Sequence, residues 1–307
     1  MTAQVLYSRP ISQAVPLLLV HGGAGPRSSE LELQVEMDYR HGLELALDAG
    51  ASVLRDGSCA LDAVCAAVIQ LEDNPLFNAA RGASLTRDGT AELDAAVMTG
   101  DGQAGAVAVS QHVRNPVLAA RAVLERTEHV LLVNPDEELT AQWGLASAPP
   151  EYFVTDHRQR QLESVLAERT IAPRHGTVGA VALDRHGQLA CATSTGGMVG
   201  QAVGRVGDTA LIGAGSFADF DSVAVSCTGE GEAFIRGLVA HDIAARLRYC
   251  GGGLEAAARA TYERELQRHG ATGGTIAVTP RGEALILHNS KAMFAGYWEP
   301  TAQQIFV

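Results

Sequence analysis

Several features that define common protein classes are scarce in this 307-residue chain. No stretch approaches the ~20 consecutive apolar residues of a membrane-spanning helix, and residues 1–20 hold only a short apolar run, so we expect neither a membrane segment nor a secretory signal. The formal net charge of −12 arises without a long acidic run and would repel nucleic acid and anionic membranes. We therefore expect a cytoplasmic protein with neither of these partners.

Cysteine is rare, and its distribution argues against a disulfide framework. The five cysteines are odd in number and widely spaced, with no C-x-x-C pair, which is typical of buried free thiols in a reducing compartment. The ten histidines form no H-E-x-x-H motif and no Cys/His ligand spacing. We expect no cofactor to be needed for catalysis.

The residues that are present fit an ordinary globular enzyme, since 47% are hydrophobic and 19% charged. An apolar run predicts an early strand at Pro16–Val20, followed by a glycine-rich turn at His21–Gly23. Two helices are predicted to follow. The second is the clearer: it has apolar residues at helical spacing from Leu61 to Leu71, Ser58 as its N-cap and an end near Asp73–Pro75. Further elements of the first half are strands at Ala83–Thr86, Ala91–Met98, Ala104–Val109 and His129–Val133 and a helix at Pro116–Arg126.

Between Asn134 and His175 the pattern loosens, and prolines surround a polar, helix-like stretch at Asp156–Glu168 that indicates a linker. Short strands dominate the remaining sequence and are expected to close the chain. They are predicted at Val178–Leu183, Leu189–Ser194, Ala210–Ile212, Val223–Cys227, Thr275–Val278 and Ala284–Leu287, with helices at Glu232–Arg248 and Leu254–Gln267. Strands and helices occur in runs and do not alternate, so we expect an α+β fold with two facing sheets covered by helices, a four-layer αββα sandwich.

The pair Gly176-Thr177, which precedes an apolar run, is the most informative local feature. A threonine hydroxyl is a weak nucleophile, but cleavage before Thr177 would free an α-amine with a pKa of roughly 8 that can serve as its general base. Glycine at position 176 allows the strained backbone that such a cleavage needs. The same pair is also typical of an ordinary turn entering a strand, so taken alone it leaves both interpretations open.

Other segments accompany this pair in a characteristic order. They are Val20–Gly25, Leu71–Ala79, Glu92–Ala95, His112–Leu118, His175–Ala182, Thr193–Met198, Gly204–Asp208 and Ser226–Glu232. With them the chain resembles the plant-type L-asparaginase and isoaspartyl peptidase family of N-terminal-nucleophile hydrolases over its length, apart from residues 134–174. The resemblance implies the αββα fold and a single-domain precursor that cleaves itself into an α subunit of residues 1–176, with a linker at about 156–176, and a β subunit of residues 177–307.

The resemblance also implies a catalytic role for several residues. Thr177 becomes the nucleophile after cleavage of the Gly176-Thr177 bond, and Thr195 lies beside it to orient its hydroxyl or stabilise its charge. Thr228 and Gly229 form an oxyanion hole, in which a hydroxyl and a backbone N–H face the developing negative oxygen. Considered without the resemblance, Thr195 and Thr228 are equally typical of threonines that cap turns.

A substrate clamp is implied at Arg205 and Asp208, which lie three residues apart in a glycine-flanked segment. The guanidinium offers a fork to an α-carboxylate and the aspartate can hold an α-ammonium group, although an exposed Arg–Asp pair has the same pattern. In the resemblance, Gly229 and Gly231 leave room for the substrate and Asn78 lies close to the nucleophile.

A structural sodium ion is the remaining implication of the resemblance. It would be bound by main-chain carbonyl oxygens, a ligand type that places little demand on side chains. The implied ligands are the carbonyls of Leu71, Glu72, Asn74, Phe77, Ala79 and Arg81. The chain departs from the family pattern at Ala80, where glycine is usual, and at His288–Met293.

Four alternatives compete with this interpretation. Gly213–Ala218 has the dinucleotide-binding form G-x-G-x-x-A, but a strand is predicted after it where that site needs a helix. Ala192–Gly196 approximates the nucleophile elbow of a serine hydrolase, with His21–Gly23 as its oxyanion turn, but lacks the first glycine. A non-catalytic binding protein on the same scaffold and a glycosylasparaginase of the same superfamily are the others.

We expect an autocleaving amidohydrolase that acts on β-aspartyl (isoaspartyl) dipeptides and on L-asparagine. Both substrates carry a free α-amine and α-carboxylate with the scissile amide on the β-carbon. One clamp could therefore hold either substrate while Thr177 attacks. The resemblance further implies a homodimer of cleaved αβ units.

Overall fold

The structure, a computed structural model, describes residues 2–11, 16–25, 32–168 and 176–307. Its strands are β1 Gln4–Arg9, β2 Leu17–Gly25, β3 Leu93–Thr99, β4 Ala104–Ser110, β5 Leu131–Val133, β6 Val178–Leu183, β7 Leu189–Thr195, β8 Ser216–Ala218, β9 Ala224–Gly229, β10 Gly273–Val278, β11 Ala284–His288, β12 Ala292–Glu299 and β13 Ala302–Phe306. Its α-helices are α1 Leu33–Arg55, α2 Ala60–Asp73, α3 Pro116–Arg126, α4 Glu137–Gln142, α5 Pro150–Phe153, α6 Asp156–Glu168, α7 Gly231–Gly237, α8 Val239–Tyr249 and α9 Leu254–Thr261.

The strands form two sheets. The larger has the order β13-β12-β2-β6-β7-β3-β4-β5, and the smaller has the order β1-β11-β10-β9-β8. Neighbouring strands run antiparallel, except β4 and β5, which pair in parallel. Strand β6 lies in the interior of the larger sheet, where it is hydrogen-bonded to β2 on one side and to β7 on the other.

Alternation along the central strands divides the apolar core into layers. In β6, Val181 faces the layer between the two sheets, whereas Ala180 and Ala182 pack with α1, α2 and α3. In β10, Ile276 faces the inter-sheet layer and Ala277 packs with α7, α8 and α9. Because both faces of each sheet are covered, the strands are hydrophobic on both sides. The predicted four-layer αββα sandwich is confirmed.

The start of α2 differs from the prediction. Its N-cap is Cys59, not Ser58, and Cys59 makes no side-chain capping hydrogen bond. The Ala60 N–H instead donates to Oδ2 of Asp184 at 3.1 Å. The acceptor for this helix end therefore comes from a distant turn, which local sequence could not indicate.

The predicted helix Glu232–Arg248 is two helices. Leu238 lies between α7 and α8 with a φ of +45°, a left-handed conformation that interrupts the helical hydrogen bonds. The predicted helix Leu254–Gln267 is α-helical only to Thr261 and continues as a π-helical turn over Tyr262–Leu266. Together these two helical segments cover the range that the apolar periodicity predicted, except for its last residue.

Some strand predictions were wrong. Neither Ala83–Thr86 nor Ala210–Ile212 forms a strand, and each contributes only isolated bridges. The segment His21–Gly23 continues β2 and does not form a turn. Strands β1, β8, β12 and β13 were not predicted, because they are short or their mixed sequences lack a clear apolar alternation, and β11 consequently does not close the chain.

Three further expectations concern the linker, the cysteines and membranes. The stretch Asp156–Glu168 is helix α6, whereas the rest of the predicted linker before Gly176, including His175, lies outside the described residues. All five cysteines are free; Cys65, Cys191 and Cys227 are buried as expected, but Cys59 and Cys250 are exposed. No helix in the described ranges is long and apolar enough to cross a membrane.

The inter-sheet layer predicts how stability responds to truncation. Replacing buried Ile276 with alanine should lower the free energy of unfolding by about 2–5 kcal/mol, because methylene groups are lost and a cavity remains. Ile11 is 53% exposed, so Ile11→Ala should change it by less than about 0.5 kcal/mol. Urea unfolding in a Thr177→Ala background, which excludes any contribution from chain cleavage, measures both. Equal losses of unfolding free energy for the two variants would contradict the burial of Ile276 in the inter-sheet layer.

Candidate active site

Two neighbouring strands bring Thr177 and Thr195 together. Thr177 immediately precedes β6, and the antiparallel register pairs Val178 with Ser194, so Thr195 at the end of β7 is adjacent to Thr177. The two Oγ1 atoms are 3.2 Å apart, and both side chains are buried. The predicted proximity of these threonines is therefore present in the structure.

The carbonyl oxygen of Gly176 lies at the centre of a group of hydrogen-bond donors. Nδ2 of Asn78 donates to it at 2.7 Å and Oγ1 of Thr195 at 3.0 Å. Oγ1 of Thr177 lies 2.8 Å from the same oxygen. Donors around a carbonyl oxygen draw electron density from its carbon and stabilise the negative charge that a nucleophile would create there.

The Asn78 side chain is fixed in the orientation that this role needs. Its Oδ1 accepts the Ser84 N–H at 2.6 Å, so the amide nitrogen must point the other way. That nitrogen also donates to the carbonyl of Gly197 at 2.8 Å. Asn78 therefore presents an aligned N–H to Gly176 without a further rearrangement.

The backbone of β2 runs directly beside the Gly176-Thr177 bond. Gly23 has a φ of +120°, and a Cβ at this position would lie 3.4 Å from the Gly176 Cα and 3.6 Å from the Thr177 nitrogen. A side chain at Gly23 would thus be strained by its backbone conformation, and its Cβ would be in van der Waals contact with the bond. This explains the need for glycine after His21-Gly22.

His21 links Thr177 to a row of buried polar side chains that are hydrogen-bonded to one another. Its Nδ1 is 3.0 Å from the Thr177 carbonyl oxygen and its Nε2 is 2.9 Å from Oγ of Ser226. Ser226 Oγ is 2.7 Å from Oγ1 of Thr193, to which Ser216 donates at 2.6 Å. Because a carbonyl only accepts, Nδ1 must carry the proton, and the hydrogen bonds then run from Ser216 to Thr177 in one direction.

Burial keeps this imidazole neutral. His21 is fully buried, and removal of its charged form from water lowers its pKa to about 3, although the bond to the Thr177 carbonyl acts in the opposite direction. Gly179 makes room for the chain, since a Cβ there would lie 2.1 Å from Ser226 Oγ and 2.5 Å from His21 Nε2. We infer that this arrangement fixes the Thr177 peptide unit.

A small pocket opens beside the two threonines. Its open volume is about 10 Å³, roughly that of one water molecule, because the intact Gly176-Thr177 bond forms part of its wall. Of the predicted cleavage-site, catalytic and substrate-binding residues, the structure brings all but Asn78 and Thr228 to its lining. The lining residues are Gly176, Thr177, Thr195, Gly197, Met198, Arg205, Gly207, Asp208, Gly229 and Gly231.

Arg205 and Asp208 both face this pocket, but they are not an exposed ion pair with each other. Nε of Arg205 donates to Oε1 of Glu232 at 2.7 Å, and its Nη1 donates to Oε1 of Gln201 at 3.1 Å. Asp208 is buried, and its Oδ2 has no hydrogen-bond partner among the described residues. Burial raises the pKa of Asp208 to about 7, with the positive charge of Arg205 opposing that shift.

Of the two predicted glycines beside the pocket, Gly231 keeps it open, whereas Gly229 avoids a clash with the neighbouring strand. A Cβ on Gly231 would lie 2.8 Å from Oδ1 of Asp208 and 3.0 Å from Nη2 of Arg205. Gly229 has a φ of +146°, and a Cβ there would meet the Gly273 backbone at 2.5 Å. Thr228 is buried next to Gly229, with Oγ1 accepting the Ala24 N–H at 3.3 Å.

The predicted sodium loop contains a buried carboxyl group that the sequence did not indicate. Oε1 of Glu72 accepts Oγ–H of Ser194 at 2.6 Å and the Val117 N–H at 3.0 Å. Burial raises the pKa of Glu72 to about 8, while these hydrogen bonds lower it. Ala80, at the position where glycine is usual, has a φ of +42°, a conformation that glycine adopts without cost.

Two alternative sites are not formed. The last three residues of Gly213–Ala218 form β8, and the next element is β9, so no helix follows the glycines. The Ser194 side chain donates to Glu72, and β7 is antiparallel to both of its neighbours, unlike the parallel strands of a nucleophile elbow. No group of three His, Cys, Asp or Glu that could hold a metal is present in the described part of the chain.

A four-layer αββα sandwich with threonine at the start of a central strand is the architecture of the N-terminal-nucleophile hydrolases. The family model described as asparaginase (Asparaginase_2) matches residues 14–307. The chain therefore belongs to this asparaginase family, and it is a hydrolase.

Curated relatives agree with this assignment. The chain is 44% identical over 295 residues to a protein of Escherichia coli K12 named isoaspartyl peptidase, with 92% of each chain covered. It is 45% identical to a protein of the same name from Salmonella typhimurium, over 92% of this chain and 94% of the relative. A human protein named isoaspartyl peptidase/L-asparaginase is 42% identical over 72% of this chain and 73% of its own.

Several residues of the site were given no role from the sequence. They are His21, Glu92, Asp94, Thr193, Gln201, Ser216, Ser226 and Glu232. The available signal was the presence of polar residues within otherwise apolar strands, as at Ser226. A buried polar group must find a partner, but the sequence does not show which one.

The hydrogen bonds of His21 predict its tautomer and its protonation state. Imidazole nitrogen and carbon NMR shifts should show His21 as the neutral Nδ1–H tautomer with no titration above about pH 4, because its pKa is lowered to about 3. Loss of the signal in His21→Gln would assign it. An Nε2–H tautomer, or titration near pH 6.5, would contradict the buried hydrogen-bond chain.

Proposed function

We propose that the chain cleaves itself between Gly176 and Thr177 and then works as a threonine amidohydrolase. Oγ1 of Thr177 attacks the Gly176 carbonyl carbon, the peptide C–N bond breaks, and an ester between Gly176 and Thr177 Oγ1 forms with a free Thr177 amine. Water hydrolyses this ester to a Gly176 carboxylate and restores the hydroxyl. Subunits of residues 1–176 and 177–307 result.

The observation that carries this proposal is the set of groups at the Gly176 carbonyl. Asn78 and Thr195 donate to its oxygen at 2.7 and 3.0 Å while the Thr177 hydroxyl lies 2.8 Å away. An ordinary turn entering a strand needs none of these side chains. Together they supply a nucleophile beside a polarised carbonyl.

The substrates we propose are β-aspartyl dipeptides and L-asparagine. Arg205 binds the α-carboxylate, and Asp208 binds the α-ammonium group with the carboxylate oxygen that has no partner among the described residues. This places the β-carbonyl towards Thr177. The relatives named isoaspartyl peptidase and isoaspartyl peptidase/L-asparaginase support the same substrates.

Catalysis would use the same hydroxyl a second time. The free Thr177 amine takes the hydroxyl proton while Oγ1 attacks the β-carbonyl, and the leaving amine or ammonia departs with a proton. Thr228 and Gly229 stabilise the oxyanion, with Thr195 beside the nucleophile. Water then hydrolyses the β-aspartyl ester to aspartate, so no metal or organic cofactor takes part.

Assembly and ion binding complete the proposal. We propose a homodimer of cleaved αβ units, in line with the family resemblance. A structural sodium ion would use main-chain carbonyl oxygens of the 71–81 loop, a ligand type that suits a hard cation. A cytoplasmic location also remains a proposal.

Intact mass spectrometry tests cleavage. Purified protein should give two chains corresponding to residues 1–176 and 177–307, and Thr177→Ala should remain one chain, because it lacks the attacking oxygen. Thr195→Val, which keeps the shape of Thr195 but removes its donor to Gly176, should slow cleavage by about 10²–10³. An uncleaved wild-type chain after long incubation would contradict the proposal.

Assays on the cleaved protein separate the substrate alternatives. Release of aspartate from β-aspartyl dipeptides and from L-asparagine is the expected result. Hydrolysis of glycosylated asparagine without activity on β-aspartyl dipeptides would favour the glycosylasparaginase alternative. Binding of these compounds without turnover would favour a binding protein.

Arg205 allows a matched test of substrate binding. Arg205→Lys should raise KM by roughly 10–100-fold, because lysine cannot offer a bidentate fork to the α-carboxylate. Arg259→Lys is the control, since Arg259 also pairs through Nε with a glutamate Oε1, at 2.8 Å compared with 2.7 Å for Arg205. Similar KM values for the two variants would show that Arg205 does not bind the α-carboxylate of the substrate.

A further inference from the structure

The segment that carries Arg205 and Asp208 is held by two buried carboxylates. Residues 204–208 belong to no strand or helix. Oε2 of Glu92 accepts the Gly204 N–H at 2.8 Å, and Oδ2 of Asp94 accepts the Gly207 N–H at 2.8 Å. The clamp segment therefore takes its position from side chains and not from a sheet.

Asp94 connects this segment to the catalytic threonines. It lies in β3, and the antiparallel register pairs it directly with Thr195 of β7. Its second oxygen, Oδ1, accepts the Val109 N–H at 2.9 Å. One side chain thus fixes the clamp segment relative to the strand that ends beside Thr177.

The local backbone is arranged around this carboxylate. Val109 has a φ of +56°, which is unfavourable for a β-branched residue and turns its N–H towards Asp94. A Cβ on Gly207 would lie 3.5 Å from Oδ2 of Asp94 and 3.4 Å from Nη1 of Arg205. Both distances are ordinary van der Waals contacts, so the Asp94 carboxylate and the Arg205 guanidinium lie next to Gly207 without requiring glycine there.

We propose that Asp94 is a positioning residue for substrate binding, which holds the segment carrying Arg205 and Asp208 in the place where both side chains can bind the substrate. This inference rests on the proposed function. Two N–H donors converge on Asp94, and a carboxylate has an acceptor oxygen for each. An asparagine would offer one acceptor and would turn an NH2 group towards the other donor, displacing Gly207 or Val109.

Asp184 provides a matched control. It is also a buried aspartate that accepts backbone N–H groups, from His186 and Gln188 through Oδ1 and from Ala60 through Oδ2. It lies in the turn between β6 and β7, at the end of these strands opposite to Thr177 and Thr195. Its loss imposes a similar structural cost without moving the clamp.

The test compares Asp94→Asn with Asp184→Asn after autocleavage has gone to completion. Asp94→Asn should raise KM for a β-aspartyl dipeptide by about tenfold or more, with kcat within about threefold of wild type and autocleavage unchanged. Binding of the product aspartate, measured by calorimetry, should weaken by a similar factor. Asp184→Asn should lower thermal stability but leave KM and aspartate binding unchanged.

The outcomes distinguish this inference from the proposed function. If wild-type protein does not hydrolyse the dipeptide, the proposed function fails, and this inference fails with it. If wild type is active but Asp94→Asn keeps its KM, or raises it no more than Asp184→Asn, the positioning role alone is wrong. Should Asp94→Asn not fold, Asp94→Ser also takes away one of the two acceptor oxygens, and an unchanged KM for that variant would overturn the inference.

Discussion

The antiparallel register between β6 and β7 is the constraint on which the rest of the site depends. Pairing of Val178 with Ser194 places Thr177 and Thr195 side by side at one end of the larger sheet. A shift of one residue would turn every side chain of β6 to the opposite face and exchange the inter-sheet layer with the helix-covered layer. The apolar pattern of β6 thus secures the position of a polar residue just outside it.

Polar groups buried within this sandwich have defined tasks because each must find a partner. His21, Ser226 and Thr193 form a directed chain to the Thr177 carbonyl, whereas Asn78 and Thr195 donate to the Gly176 carbonyl. The first set holds the peptide unit that follows the Gly176-Thr177 bond. The second set surrounds the carbonyl oxygen that precedes it with hydrogen-bond donors.

Charge is arranged differently around Arg205, on the side of the pocket where we propose that substrate binds. Arg205 is surrounded by carboxylates, and burial raises the pKa of Asp94 to about 6 and that of Asp208 to about 7. Both groups have folded-state pKa values above those of the unfolded chain, so they favour folding at low pH and lose this contribution as pH rises through those values. A bound α-ammonium group beside Asp208 would stabilise the ionised carboxylate and offset the stability that is lost at higher pH. Substrate binding would in this way be coupled to the stability of the pocket.

The sequence predicted the fold class and most helices and internal strands, because apolar periodicity depends on which face of an element is buried. It also indicated Thr177, Thr195, Arg205 and Asp208, since their segments keep a recognisable order. It could not predict that Asp94 would bind Gly207, 113 residues away, or that His21 would bind Ser226, 205 residues away. Such partners depend on which strands become neighbours, and a residue type alone does not determine that.

The most direct test of the account is to identify the covalent intermediate. Turnover of a β-aspartyl dipeptide would be quenched in acid, the protein digested, and the peptides analysed by mass spectrometry. The account predicts a β-aspartyl ester on a peptide whose first residue is Thr177. An ester on another residue, or turnover by a chain in which Thr177 still follows Gly176, would contradict it.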